Sequence, residues 1–295
     1  LKDSSNSLGG GILGSAGLIE IKRRIKSVES TRKITKAMNV VATSKLRKVR
    51  KELNGSEDYY NLSEEIVNKL VASLPEDYES SFINTRSNEL DKLYIVMTSD
   101  TGLCGGFNGN VVNSLNDMID DKSSAKIVVV GSKGISYIRR YGLYTVKEYV
   151  EIPDIPTIKE VRAIYDDAVF MFKNGEVGEV NLVFTEFKSA IKQEVKIEKL
   201  FPLEIQSEGS EQFLIEPSLE EVLDSSLNIY FKCKIRRAML HSKVSEQSAR
   251  MTAMDGATQN ANDILQALNL KYNRIRQGMI TQEISEIVGG AEAQK

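Results

Sequence analysis

The stretch with the clearest chemical potential is Thr101-Gly102-Leu103-Cys104-Gly105-Gly106-Phe107-Asn108, a glycine-rich turn between an apolar run and a helical pattern. Such a turn can offer successive backbone N–H groups to a phosphate. Its spacing argues otherwise, because no Lys-Ser or Lys-Thr follows as a P-loop requires and the glycines do not fall as GxGxxG. A tight turn with close helix–sheet packing explains the same glycines. The other reactive residue types do not assemble. His241 is the sole histidine, Cys104 and Cys233 stand far apart without a CxxC, and the carboxylates show no paired spacing. No nucleophile–base set and no metal cluster can be composed from them, so no catalytic residue, metal or cofactor is expected. Two isolated cysteines fit a reducing compartment.

The net charge of −2 conceals an asymmetry. Lys22, Arg23, Arg24, Lys26, Arg32, Lys33, Lys36, Lys45, Arg47, Lys48, Arg50 and Lys51 crowd one early segment. A nucleic-acid surface would interleave aromatic and base-reading side chains, which this run lacks. A solvated helix face is the simpler reading. With 295 residues, 41% hydrophobic and 27% charged, the chain can bury a substantial core as one large domain or two small ones. No run approaches the roughly 18–20 consecutive apolar residues of a spanning helix. Membrane association would therefore need a partner or a surface contact.

Positioning falls to the two ends of the chain. All 5 prolines (Pro75, Pro153, Pro156, Pro202, Pro217) lie between them, so long helices are permitted on both sides. Ser218 with Glu221 three residues on is a capping-box signature that opens the second helix. From there Leu240, Val244, Gln247, Met251, Met254, Thr258, Ala261, Leu265, Leu268, Tyr272, Ile275 and Met279 follow at alternating steps of four and three. That is the 3.5-residue period of a left-handed coiled-coil seam. The first helix repeats it in Leu18, Ile21, Ile25, Val28 and again in Ala42, Leu46, Val49, Leu53, joined through Arg32, Thr35 and Asn39. Ile34, Met38 and Val41 form a second apolar strip left over after pairing. A single amphipathic helix of this length gains little alone, so the two are expected to pair antiparallel. At about 1.5 Å per residue, some 70 residues would extend on the order of 100 Å.

The middle alternates strand and helix. Residues 93–97, 127–130, 180–184 and 194–200 read as strands, and 108–119 and 158–172 have helical spacing. The expected fold class is α/β: a long antiparallel two-helix coiled coil from the N- and C-terminal segments, plus a Rossmann-like open-sheet α/β domain. The expected layout is a disordered, Ser/Gly-rich leader or processing remnant at 1–15, a coiled-coil shaft from 16–75 and 216–295, and a globular α/β domain at 76–215.

Three segments carry a resemblance to a known family. They are the run from Ile21-Lys22-Arg23-Arg24-Ile25 through Thr31-Arg32-Lys33-Ile34-Thr35-Lys36-Ala37-Met38 to Ser44-Lys45-Leu46-Arg47, the turn Ser99-Asp100-Thr101-Gly102-Leu103-Cys104-Gly105-Gly106-Phe107-Asn108, and Ile280-Thr281-Gln282-Glu283-Ile284-Ser285-Glu286-Ile287-Val288-Gly289-Gly290. In order and spacing, from residue 16 to the end, the chain resembles the γ subunit of F-type ATP synthases, the rotor shaft of the F1 motor. Only the leader departs.

The resemblance implies a coiled coil standing in the bore of an α3β3 hexamer and an α/β domain meeting the ε subunit and the c-ring of Fo, with one copy per complex. Ion flow would turn the shaft, and the shaft would drive the β subunits, which hold the catalytic sites. It implies contacts to the hexamer from Lys36, Met38, Lys45, Arg47 and Lys48, and from Arg250, Gln277, Thr281 and Glu283. It places Phe213 and Glu216 at the c-ring and ε. No nucleic acid is implied, and the location is peripheral, on the cytoplasmic face of a bacterial plasma membrane. The paired-cysteine insertion of chloroplast relatives is missing, so redox control of that type is not expected. Two other readings stay open from residues alone: a coiled-coil scaffold with a ligand-binding α/β domain, and a small-molecule enzyme built on the glycine-rich turn.

Overall fold

The computed structural model describes residues 5–75, 78, 80, 82–83, 90–203 and 215–293, with side chains from residue 17 onward. Phe213 and residues 1–4 lie outside the described residues. The elements run α1 (Ser5–Ala72), β1 (Lys92–Met97), α2 (Phe107–Met118), β2 (Ala125–Val130), α3 (Ser132–Arg140), β3 (Thr145–Tyr149), α4 (Ile158–Lys173), β4 (Glu179–Phe187), β5 (Gln193–Phe201) and α5 (Leu219–Glu292). α1 starts at Ser5, within the stretch that the sequence assigns to a leader and where no proline intervenes. The chain divides into two compact units, Leu1–Val40 with Ala253–Lys295, and Val41–Thr252.

In the first unit the apolar seam is turned inward. Ile21, Met254, Ala261, Leu265 and Leu268 are buried, and Ile25, Val28, Tyr272 and Ile275 are half-buried. A polar pair interrupts this seam, with the Thr35 and Thr258 hydroxyls 2.8 Å apart. Arg32 donates to the Asn262 side chain at 3.4 Å. Rising numbers on α1 meet falling numbers on α5, so the helices are antiparallel here. Each hydroxyl also reaches a carbonyl of its own helix, Arg32 at 3.1 Å and Met254 at 2.8 Å, so the polar pair marks the register at no cost in unsatisfied groups. Ile34 is left 60% exposed, as expected of the leftover strip.

In the second unit five strands lie in the order β3-β2-β1-β4-β5. β1 pairs in parallel with β2 and β4, β2 pairs in parallel with β3, and β5 closes one edge antiparallel to β4. Alternation along the strands sends Leu93, Ile95, Met97, Leu182 and Phe184 to a core shared with α1, α4 and α5. Tyr94, Val96, Ile127, Val129 and Val183 face α2 and α3. Phe82, Phe172, Phe201 and Phe231 stack at centroid distances of 4.9 to 6.0 Å in the first of these cores. Each such ring contributes roughly 2–3 kcal/mol by burial.

The same unit holds part of α1 against α5. Val49 and Leu53 pack on Leu240 and Val244. Arg236 pairs with Glu52 and Arg237 with Glu57, while Tyr60 and Tyr230 both donate to Glu64. Again the order is antiparallel.

Local signals explain where the helices begin. Ser218 accepts from the Glu221 N–H at 3.3 Å at the start of α5, and Thr157 with Glu160 makes a full capping box for α4. Every stretch that the sequence predicts as strand or helix in the middle coincides with an observed element. Two elements escape it. β3 is an edge strand whose central residues are exposed, so it lacks an apolar run, and α3 is short and carries Gly134.

Candidate functional site

The glycine-rich turn follows β1 and opens α2. Its interior is filled by its own side chains. The Ser99 hydroxyl donates to the Thr101 carbonyl at 2.8 Å, and Asn108 accepts from the Ser99 N–H at 2.9 Å. The Asn108 amide reaches the Ser99 hydroxyl at 2.8 Å and the buried Cys104 sulfur at 3.4 Å. Asp100 accepts from the Ser132 N–H at the start of α3 and from the Ile152 N–H, at 3.0 and 3.2 Å. Leu103 and Gly105 take positive φ angles of 63° and 57°. At Gly105 the residue type suits that geometry. Close packing does not explain the other glycines: an added Cβ would meet nothing within 4 Å at Gly102 and only side chains at 3.4 and 3.6 Å at Gly106 and Gly109, so the expected close helix–sheet approach is not what they serve.

α5 crosses the sheet beside this turn. Residues 241–248 are all buried, although Val244 is the only apolar side chain among them. A helix buried on every side is ordinarily apolar on every side. Here most of the polar groups find partners, while His241 Nε2 and Gln247 Oε1 are buried without a hydrogen bond. Ser242 reaches the Met97 carbonyl at 3.4 Å, Ser245 the Thr185 carbonyl at 3.1 Å and Ser248 the Ala190 carbonyl at 3.4 Å. Glu246 sits between Lys243 at 3.4 Å and Arg250 at 2.9 Å, with side-chain exposures of 4%, 9% and 8% respectively. Arg250 also donates to the Thr101 and Gly102 carbonyls at 3.0 and 3.2 Å. Gln247 donates to Asp154, whose other oxygen holds Lys45 at 2.8 Å.

His241 completes the group. Its Nδ1 accepts from the Phe187 N–H at 3.3 Å, so that nitrogen must be unprotonated. Burial, helped by the nearby Arg237, pushes the His241 pKa down to about 4, against the opposing pull of Glu57 and Glu186. An unfolded histidine binds its proton near pH 6.5, before the folded one does. The stability from this group is therefore present above pH 6.5 and lost as pH falls from there toward 4. The loss should total about 3 kcal/mol. Urea unfolding at pH 7 and pH 5 should show it, and His241→Gln should flatten that part of the pH dependence.

The residues that the resemblance implied for partner contact fall in different surroundings. Lys36 is exposed and Met38 half-buried in the first unit, where Gln277, Thr281 and Glu283 are exposed on the last part of α5. Arg47 and Lys48 are exposed in the second unit, and among the described residues neither has an ion-pair partner. Lys45 is half-buried and engaged with Asp154. Glu216 is exposed just before α5. Arg250 is buried, and its guanidinium is committed to the turn and to Glu246. Residue reasoning missed the burial of Ser242, Lys243, Ser245, Glu246 and Ser248. The available signal was a polar run, Ser242-Lys243-Val244-Ser245-Glu246-Gln247-Ser248, interrupting an otherwise apolar seam.

Two long helices stand at either end of the chain order with an open sheet between them, Arg47 and Lys48 exposed and the polar groups of residues 241–248 turned inward. The ATP synthase family matches residues 17–294. The ATP synthase gamma chain of Clostridium botulinum is 57% identical over 284 residues, 96% of this chain and 100% of that one. A solved chain of the Tetrahymena thermophila mitochondrial ATP synthase central stalk and c-ring has a TM-score of 0.62 at 25% identity, covering 76% of this chain and 99% of that chain. A rotor chain of the Euglena gracilis mitochondrial ATP synthase shares the fold at a TM-score of 0.69 and 14% identity, covering 90% of this chain and 99% of that chain. The chain belongs to the ATP synthase gamma chain family, with the role of central shaft in the F1Fo ATP synthase. Among the described residues no helix is long and apolar enough to cross a membrane.

Proposed function

We propose that α1 and α5 act as an antiparallel coiled coil standing in the bore of an α3β3 hexamer, with one copy of the chain per complex. The Rossmann-like sheet unit meets the ε subunit and the c-ring, with Phe213 and Glu216 at that contact. Rotation of the c-ring by ion flow turns this chain, and its uneven surface takes each β subunit in turn through states of different nucleotide affinity. Catalysis belongs to β. The complex sits at the cytoplasmic face of a bacterial plasma membrane, which this chain reaches only through Fo.

The observation that carries this reading is the pairing of a match over nearly the whole chain with exposed cations that have no ion-pair partner among the described residues. Lys36 and Met38 in the first unit, and Arg47 and Lys48 in the second, each offer a sparse ionic or apolar contact to an acidic partner loop. Sparse contacts can slide past one another, whereas a densely packed interface locks. Gln277, Thr281 and Glu283 serve the hexamer from the other helix. Lys45 joins them from its pair with Asp154, and Arg250 acts through the turn that it holds. The exposed Ile280, Ile284 and Ile287, at 45%, 57% and 71%, give α5 an apolar end suited to a surrounding collar.

Arg47→Glu combined with Lys48→Glu tests the surface. Two reversed charges facing an acidic partner cost on the order of 1–2 kcal/mol, about tenfold in the coupled step. ATP-driven ion transport should fall relative to ATP turnover. Transport equal to that of the unaltered chain would remove these residues from the interface.

A further inference from the structure

The strand order reverses its winding between β1 and β4, and in open α/β sheets the crevice at the carboxyl ends of those strands is where ligands bind. In this chain α5 occupies it. Ser242 reaches the last carbonyl of β1, and Ser245 reaches the Thr185 carbonyl near the carboxyl end of β4. Ser248 continues to the turn beyond β4, and Arg250 grips the turn beyond β1. The acceptors are backbone carbonyls of β1, of β4 and of the turns that follow them.

We propose that the buried polar stretch of α5, residues 241–250, is a rotational key: it seats the helix in the crevice between the ends of β1 and β4, so that torque on the sheet unit enters α5 through directional hydrogen bonds. This inference rests on the shaft reading. Apolar packing resists separation but is tolerant of small rotations, because its contacts are non-directional. Hydrogen bonds weaken steeply with misalignment, and a buried ion group that loses its partners is costly. A turn of α5 about its own axis would break the serine contacts and pull Arg250 off the Thr101 and Gly102 carbonyls, while the Lys243–Glu246–Arg250 pairs, all on α5, turn with it. A polar collar therefore does what an apolar one of the same size does not, by fixing angle as well as position.

The test compares the combined variant Ser242→Ala, Ser245→Ala, Ser248→Ala with Ile235→Val, a buried apolar change on the same helix. Each is assembled into the whole ATP synthase. ATP hydrolysis is measured on the detached hexamer–shaft assembly, where the sheet unit carries no load. The membrane potential built by ATP in vesicles holding the entire complex is read with a voltage-sensitive dye. The serine variant should keep its hydrolysis rate while the potential-building rate falls severalfold, and Ile235→Val should leave the ratio of the two as in the unaltered chain. An unchanged ratio in the serine variant would overturn the key. A parallel fall of both activities would also overturn it, since the stretch would then serve only folding or assembly. Failure of the unaltered chain to build any potential while hydrolysing ATP would instead sink the shaft reading, and the key with it.

Discussion

With Glu246 replaced by alanine, the purified chain is expected to lose about 3–5 kcal/mol of unfolding free energy. The carboxylate is 4% exposed and lies between Lys243 and Arg250, which are themselves buried. Removing it leaves two positive charges facing each other in a low-dielectric interior with no anion between them. Arg250 would still hold the Thr101 and Gly102 carbonyls, so the turn should persist while the helix beneath it loosens. Replacing all three groups by apolar side chains of similar volume, as Lys243→Met, Glu246→Leu and Arg250→Met, should cost less than the single change, because no unpaired charge remains. Urea unfolding of the two variants ranks them directly. A single variant as stable as the unaltered chain would mean that the ion group is solvated in solution.

Gly131→Ala should be nearly as damaging, by about 3 kcal/mol or more. Gly131 has a φ of 102°, which L side chains rarely adopt, and an added Cβ would stand 2.3 Å from the Thr98 carbonyl oxygen. The obstacle is backbone, so no rotamer change relieves it. Gly131 also donates to the Tyr149 carbonyl at 2.7 Å, tying the end of β2 to the end of β3. Nearby, the Thr98 hydroxyl accepts from the Gly134 N–H at 3.1 Å. The strain would thus be applied where β1 hands over to the glycine-rich turn. Thermal unfolding should report it, and Gly142→Ala serves as the comparison. Gly142 also has a positive φ, of 71°, but open space around it, so its cost should be backbone strain alone.

The helical ends were legible because their signal is a period. Each seam position read from the sequence, from Leu18 to Leu53 and from Leu240 to Met279, is buried or half-buried in the structure, and Ser218 caps α5. The strands were legible for a different reason, as apolar runs bounded by turn residues. Exposure of Lys36, Arg47 and Lys48 follows from their place off the seam. The buried polar stretch was not legible. Serine, lysine, glutamate and arginine are usually found at the surface, and only the tertiary arrangement supplies the strand-end carbonyls that accept their burial. Arg250 shows the difficulty plainly: the resemblance implies an outside partner for it, while its acceptors in the structure are Glu246 on the same helix and carbonyls of a turn far away in sequence. The pairing of Lys45 with Asp154 is hidden in the same way. β3 gave no signal because an edge strand with exposed residues needs no apolar run.

A single chain that turns inside its partners is the central claim, and a rotating probe tests it most directly. Ile191, 99% exposed in the turn between β4 and β5, can be changed to cysteine and tagged, since Cys104 is buried and Cys233 half-buried. The tagged chain is assembled with immobilised α and β subunits and supplied with ATP. One copy per assembly, with the probe revolving in one direction while ATP is consumed, is the predicted result. Sustained ATP consumption around a stationary probe would contradict the account.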